Sequence, residues 1–291
     1  MVLLAALWGA SFLFMRATVH EFGPIPLIAV RVALAAVFLL IVLAMRGGWA
    51  QLGDRFLDSV LVGVLNSALP FTLIAYSTLT ITAGFASVLN ALTPMFALFV
   101  AFVWFGDRFS VAKLLGMVVG LLGVVVLVWD RVGSRDDGAL LAIGAGVLAA
   151  ALYGVAANYT RARLQGINPL ALATGSQIGA SLALLPLAVV WWPETMPSQS
   201  AWYSAVALAI ACTGLAYVIY FDLLEKVGAD RATTVTFLIP VFGIFWGAMI
   251  LDEVVTTRIL VATAIILLGT MLATNVIRLP LTKVSSSDES S

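Results

Sequence analysis

The sequence predicts an all-α polytopic membrane protein, with ten transmembrane helices arranged as a 5+5 inverted repeat. Three observations lead there: a composition too apolar for water, a series of charge-free stretches of spanning length, and marked residues that recur in the second half of the chain. Of the 291 residues, 62% are hydrophobic and 10% are charged. An average soluble domain has about 45–50% and about 25%. A soluble chain of this size would leave much of that apolar surface in water as aggregation-prone patches. Disordered chains have the opposite composition. Nucleic-acid binders carry a basic excess, whereas 15 Lys and Arg here balance 15 Asp and Glu. No nucleic-acid partner is expected; the bilayer is.

A helix needs about 20 mainly apolar residues to cross the hydrocarbon core. The first is predicted at 2–19. It opens almost at Met1 with no basic segment ahead of it, and so reads as a retained span rather than a cleaved signal. The second, 26–46, contains the apolar run from Val32 to Met45. Ser59 to Gly106 is 48 residues without Asp, Glu, Lys or Arg, which makes two spans, 57–79 and 84–105, about a turn at Thr80–Gly84. The fifth is 111–129. Charge-free runs at Gly138–Thr160, Leu164–Pro193, Thr195–Phe221, Ala232–Leu251 and Ile259–Ile277 give helices near 138–160, 170–192, 200–222, 231–251 and 257–277. These runs are apolar all round, unlike the alternating strands of a membrane barrel. The links are too short for a soluble domain. Lys283–Ser291 reads as a disordered tail from its Ser and acidic content. The chain therefore divides into halves at 1–130 and 138–278, followed by the tail, 279–291.

Basic residues near helix ends set orientation. A cytoplasmic N-terminus puts Arg46, Arg55, Arg108, Lys113, Arg161, Arg163, Lys226, Arg231, Arg278 and Lys283 inside. Arg131, Arg135, Arg258, Arg16 and Arg31 then belong to the outer side. Ten against five predicts both termini in the cytoplasm. The one cysteine, Cys212, falls mid-helix and reads as a small packing residue, with no intrachain disulfide available.

The repeat is read from rarer residues. Pro94 and Pro240 each precede an acid by thirteen residues (Asp107, Glu253), and each acid precedes a glycine by sixteen (Gly123, Gly269). In the same register, offset by 146, Phe96 matches Phe242, Phe99 matches Phe245, Ala86 matches Ala232 and Ser87 matches Thr233. At an offset of 145, Trp8-Gly9 matches Tyr153-Gly154 and Arg16 matches Arg161. Five helices is an odd number, so the second half enters the membrane from the opposite side. Inverted halves about a midplane site are the structural basis of alternating access.

This duplicated pattern resembles the EamA module of the drug/metabolite transporter superfamily, and WGASFLFMR from Trp8 is similar to that family's first helix. The resemblance covers essentially residues 1–277. Among members, the chain looks most like bacterial amino-acid exporters of the YddG-like, aromatic-amino-acid type. It implies a 5+5 inverted fold, cytoplasmic termini in the bacterial inner membrane, a central cavity and no cofactor. It does not fix the cargo, since the family's motifs are mostly architectural.

Polar groups at bilayer depth are costly and therefore informative. Ser87, Asn90 and Pro94 share one helical face, and Thr233, Thr236 and Pro240 occupy the equivalent positions. Each proline disrupts the bond to the carbonyl four residues earlier, at Asn90 and Thr236. Two readings stand: carbonyls freed for a substrate, or simple bends whose side chains re-satisfy the backbone. Trp8, Ser11, Phe12 and Met15 on the first helix join Asn66 and Tyr76 on the third, Tyr153 and Asn158 on the sixth, and Tyr217 and Tyr220 on the eighth. With Thr213 and Pro70 nearby, these aromatic walls with scattered amides and hydroxyls suit a small amphipathic solute. Helix packing is the alternative for each one alone. Gly116, Gly120 and Gly123 mark a close helix contact within or between protomers. A monomer suffices for transport on this reading.

Coupling carboxylates normally lie deep in the membrane, yet Asp107, Asp222, Glu225, Asp252 and Glu253 fall at predicted ends and His20 in a loop. Facilitated movement is therefore expected. Arg31, inside the second helix, is expected to snorkel or to pair with a carboxylate, and Arg16 likewise. Asp107 and Glu253 are expected to be solvated or paired with Arg108 and Arg258, with gating as the other role. An enzyme is disfavoured: there is no HExxH, no intramembrane acidic cluster for Mg²⁺, and no Ser with a His or Lys partner. No filter loop indicates a channel. The second reading is a drug or other metabolite exporter of the same fold, with or without proton coupling.

Overall fold

A computed structural model describes residues 1–47, 49–107, 110–132 and 137–277. The predicted tail, with Arg278 and Lys283, lies outside these residues, as do Arg108 and Arg135. The helices are α1 (Val2–Phe22), α2 (Pro24–Arg46), α3 (Phe56–Ser77), α4 (Ala83–Phe105), α5 (Val111–Val132), α6 (Asp137–Arg163), α7 (Pro169–Val190), α8 (Gln199–Val227), α9 (Thr233–Ile250) and α10 (Thr257–Ala273). Among the described residues, nine are long and apolar enough to cross a membrane, and α10 is a shorter apolar helix of 17 residues. A six-residue helix, Trp49–Asp54, joins α2 to α3, and one turn, Ala229–Ala232, leads into α9.

Local chemistry sets the ends. Thr82, Asn168, Ser198 and Thr256 cap the amino ends of α4, α7, α8 and α10, each side chain accepting from a first-turn N–H. Gly106 closes α4 in the left-handed conformation, its N–H reaching the Phe102 carbonyl at 3.0 Å. The outer surface is apolar: on α5, Leu121, Leu122 and Trp129 are more than half exposed. That is the surface lipid covers in a polytopic protein, where the bilayer replaces water around the spans.

The inverted repeat is visible as paired contacts. Gly9 of α1 lies against Phe242 and Gly243 of α9, with room for a Cβ only 2.6 Å from Phe242 Cβ. Its counterpart Gly154 of α6 lies against Phe96 and Ala97 of α4, where a Cβ would stand 2.7 Å from the Ala97 nitrogen. Each pair carries one polar tie: Trp246 Nε1 donates to the Ala6 carbonyl (3.1 Å), and Asn158 Nδ2 to the Ala97 carbonyl (2.8 Å). Gly123 of α5 meets Ile266 of α10, and Gly269 meets Gly120 in return. The predicted glycine contact is thus within the chain, between α5 and α10.

Two features differ from expectation. First, Pro94 and Pro240 do not bend continuous helices. The helix stops at Ala91–Leu92 in α4 and at Leu238 in α9, and each proline sits in the first turn of a new segment, Thr93–Phe105 or Ile239–Ile250. There its missing N–H costs nothing. The breaks are bridged by tighter bonds, Ala91 N–H to Val88 (3.1 Å) and Leu238 N–H to Val235 (3.0 Å). Second, α3 and α8 each widen into a π turn, at Val64–Ala68 and Ile210–Leu215. These turns begin 146 residues apart, in the register of the repeat. In α3, Pro70 follows the widened turn, which relieves its clash with the carbonyl four residues back.

Candidate functional site

The π turn of α8 carries Cys212 and Thr213 on its buried side. Thr213 Oγ1 donates to the Leu208 carbonyl, five residues back (2.9 Å), and its free lone pair faces α2. There it accepts from Arg31 Nε at 2.9 Å. The Arg31 guanidinium lies over the Phe71 ring of α3, 3.6 Å from its centroid, and Nη1 reaches Met15 Sδ of α1 at 3.6 Å. Tyr153, Cys212 and Tyr217 lie within its electrostatic reach. Arg31 is 3% exposed and, among the described residues, makes no ion pair with any carboxylate. It lies about 11 Å along α2, at about 1.5 Å per residue. Neither expected role holds: Arg31 does not snorkel outward, and no carboxylate pairs with it. Phe71 and Cys212 were not expected at a site.

An aromatic run continues from this cation. Tyr217 accepts from Asn66 Nδ2 (3.4 Å) and stacks on Phe221, with ring centroids 5.9 Å apart. Phe221 meets Tyr220 (5.7 Å), and Tyr220 meets Trp8 (5.2 Å). Tyr153 faces Phe71 at 6.4 Å. Trp8, Met15, Asn66, Tyr153, Tyr217 and Tyr220 are therefore brought together, with Arg31 among them.

Other singled-out residues stand elsewhere. Ser11 and Phe12 are buried in the packing of α1. Ser87 is fully buried beneath Gly243 of α9 and donates to the Gly84 carbonyl (2.7 Å). Asn158 is spent on the Ala97 and Gly154 carbonyls. Thr236 donates to the Thr233 carbonyl (2.8 Å), and Thr233 is exposed. Tyr76 lines a separate apolar groove of about 360 Å³ with Pro24, Pro26, Leu73 and Trp191. At the α4 break, Asn90 Oδ1 and Thr93 Oγ1 are buried with no hydrogen-bond partner among the described residues.

The marked acids are engaged. Glu253 accepts from the N–H groups of Ala83 (2.7 Å) and Gly84 (3.2 Å), so it caps α4 rather than standing in solvent. Asp252, at φ 53°, turns the chain back to allow this. Asp107 pairs with Arg161 of α6 at 3.2 Å, while its expected partner Arg108 lies outside the described residues. Arg46 pairs with Asp222 (2.8 Å), and Arg16 donates to the Thr78 carbonyl.

Inverted halves with aromatic and polar side chains gathered along their seam define a membrane transporter. The chain belongs to the EamA-like transporter family, whose profile matches residues 1–129 and again 138–275. An uncharacterized transporter of Archaeoglobus fulgidus is 26% identical over 275 residues, covering 92% of this chain and 95% of that one. Uncharacterized transporter YoaV of Bacillus subtilis is 23% identical over 273 residues, covering 92% and 93%. A probable terminal-alkyne amino-acid exporter of Streptantibioticus cattleyicolor is 24% identical over 272 residues, covering 94% and 91%. A solved structure superposes with a TM-score of 0.68 over 94% of this chain and 95% of its own, at 19% identity, which speaks to the fold.

Proposed function

We propose that the chain is a secondary transporter that exports small amphipathic metabolites, amino acids with aromatic or hydrophobic side chains among them, by alternating access. The observation that carries this reading is the cluster of Trp8, Tyr153, Tyr217, Tyr220 and Asn66 at the seam of the inverted halves. Aromatic walls receive an apolar side chain, and the few polar groups orient a polar head. The similarity to a probable amino-acid exporter supports the same cargo class. A monomer suffices for transport, in the bacterial inner membrane with both termini cytoplasmic; the protein needs no cofactor and works facilitatively. For the last point, the support is that Glu21, Asp58, Asp107, Asp222, Glu225, Asp252 and Glu253 all lie within about two turns of a helix end or in a link.

Counterflow in proteoliposomes against amino acids, nucleosides and cationic drugs tests the assignment. Exchange with phenylalanine or leucine is expected. Exchange only with nucleosides or cationic drugs would replace the amino-acid reading with a drug or metabolite exporter. Accumulation against the gradient only under an imposed pH or sodium gradient would remove the facilitative part.

A further inference from the structure

We infer that Arg31 is the anion anchor of the cargo site, and that the solute carried presents a carboxylate to its guanidinium. The inference rests on the transporter reading above and adds the chemical group recognised. The first support is the missing counter-charge. An isolated buried cation is strongly disfavoured unless paired, and Arg31 has a hydroxyl, a thioether and an aromatic face but no carboxylate among the described residues. Nε and Nη1 are engaged, while Nη2 donates to no described group. A guanidinium presents its donors as a planar fork that matches a carboxylate.

The second support comes from the repeat. The counterpart of Arg31 at the offset of 146 is Gln177, and the counterpart of Thr213 is Ser67. Gln177 Nε2 donates to Ser67 Oγ at 2.9 Å, the same length as the Arg31–Thr213 bond. Each contact joins the second helix of one half to a π turn, Gln177 on α7 to the turn in α3 and Arg31 on α2 to the turn in α8. A neutral amide therefore makes the same helix contact through its nitrogen, with Gln177 Oε1 buried and without a hydrogen-bond partner among the described residues. The charge at residue 31 is surplus to the helix contact, and it occurs in one half only, over the Phe71 ring that Tyr153 faces.

Because Gln already fills the equivalent position, Arg31→Gln is the variant of choice. L-phenylalanine, 3-phenylpropionate and phenethylamine share a phenyl ring and two-carbon chain, and the last lacks the carboxylate. Wild-type protein in detergent is expected to melt at higher temperature with the first two and not with the third. Arg31→Gln is expected to lose counterflow of carboxylate solutes by about tenfold or more, as for a charge-assisted bond, with Arg31→Lys losing less. Phenethylamine stabilising as well as L-phenylalanine would overturn the inference, as would a folded Arg31→Gln protein with undiminished counterflow. The wild-type arm decides the matter even if neither variant folds. If no amino acid exchanges but benzoate or succinate raises the melting temperature, and Arg31→Gln abolishes that rise, the cargo assignment falls and the anchor stands. If no carboxylate has such an effect, the anchor falls whatever the chain carries.

Discussion

Glu253 shows how much a single side chain's role depends on its partners. As a residue near a helix end it suggested solvation, yet it closes the amino end of α4 by accepting from Ala83 and Gly84. Gly247 lies directly under its carboxylate, and a Cβ there would meet Glu253 Oε2. Glu253→Ala removes a charged cap of the kind worth about 0.5–2 kcal/mol, and thermal unfolding in detergent is expected to register the loss. Glu253→Gln keeps one acceptor and should lose less. Asn158→Ala leaves the Ala97 carbonyl without its tie to α6, at a cost of about 1 kcal/mol. At this scale the sequence was partly legible. Trp8, Asn66, Tyr153 and Tyr217 share a locality because aromatic and amide residues at bilayer depth have few alternatives. Asn158 and Ser87 looked the same and are consumed by neighbouring carbonyls, a distinction that depends on which helix lies opposite. Arg31 was misjudged for the same reason, although sliding the repeat register onto it would have exposed Gln177 as its counterpart.

Among the elements, glycine positions separate contact from exposure. A Cβ on Gly63 of α3 would strike the Ser176 carbonyl of α7, and one on Gly179 would strike Val60. Gly63→Val should therefore force the α3–α7 pair apart, costing about 1–3 kcal/mol or more, and should lower the yield of monodisperse protein. Beyond its own stretch of helix, Gly144 of α6 has no atom of the described residues within 4 Å of where its Cβ would stand. Gly144→Ala should leave the melting temperature unchanged or raise it, since alanine is the better helix former by about 1 kcal/mol. The existence of each helix was readable from charge-free runs. The breaks at Ala91–Leu92 and Leu238 were not, because a proline inside an apolar run looks alike whether it bends one helix or begins another. The π turns leave no compositional mark, and only their recurrence in the repeat register shows that they belong to the architecture.

The whole molecule was the most legible level. Spanning segments, their number and their inverted duplication all follow from composition and from the spacing of Pro94, Asp107 and Gly123 against Pro240, Glu253 and Gly269. What spacing could not supply is which helices meet across the halves, and that decides where the seam lies: α1 on α9, α6 on α4, α5 on α10. One detail of the seam has a practical side. The chain's single thiol, Cys212, is 1% exposed and adjoins Thr213, the residue that holds Arg31. On the proposed alternating-access mechanism, a maleimide reaches it through the opened centre. Labelling of the unaltered protein should be slow, and slower still with bound solute, so its rate times the opening of the carrier without any introduced probe.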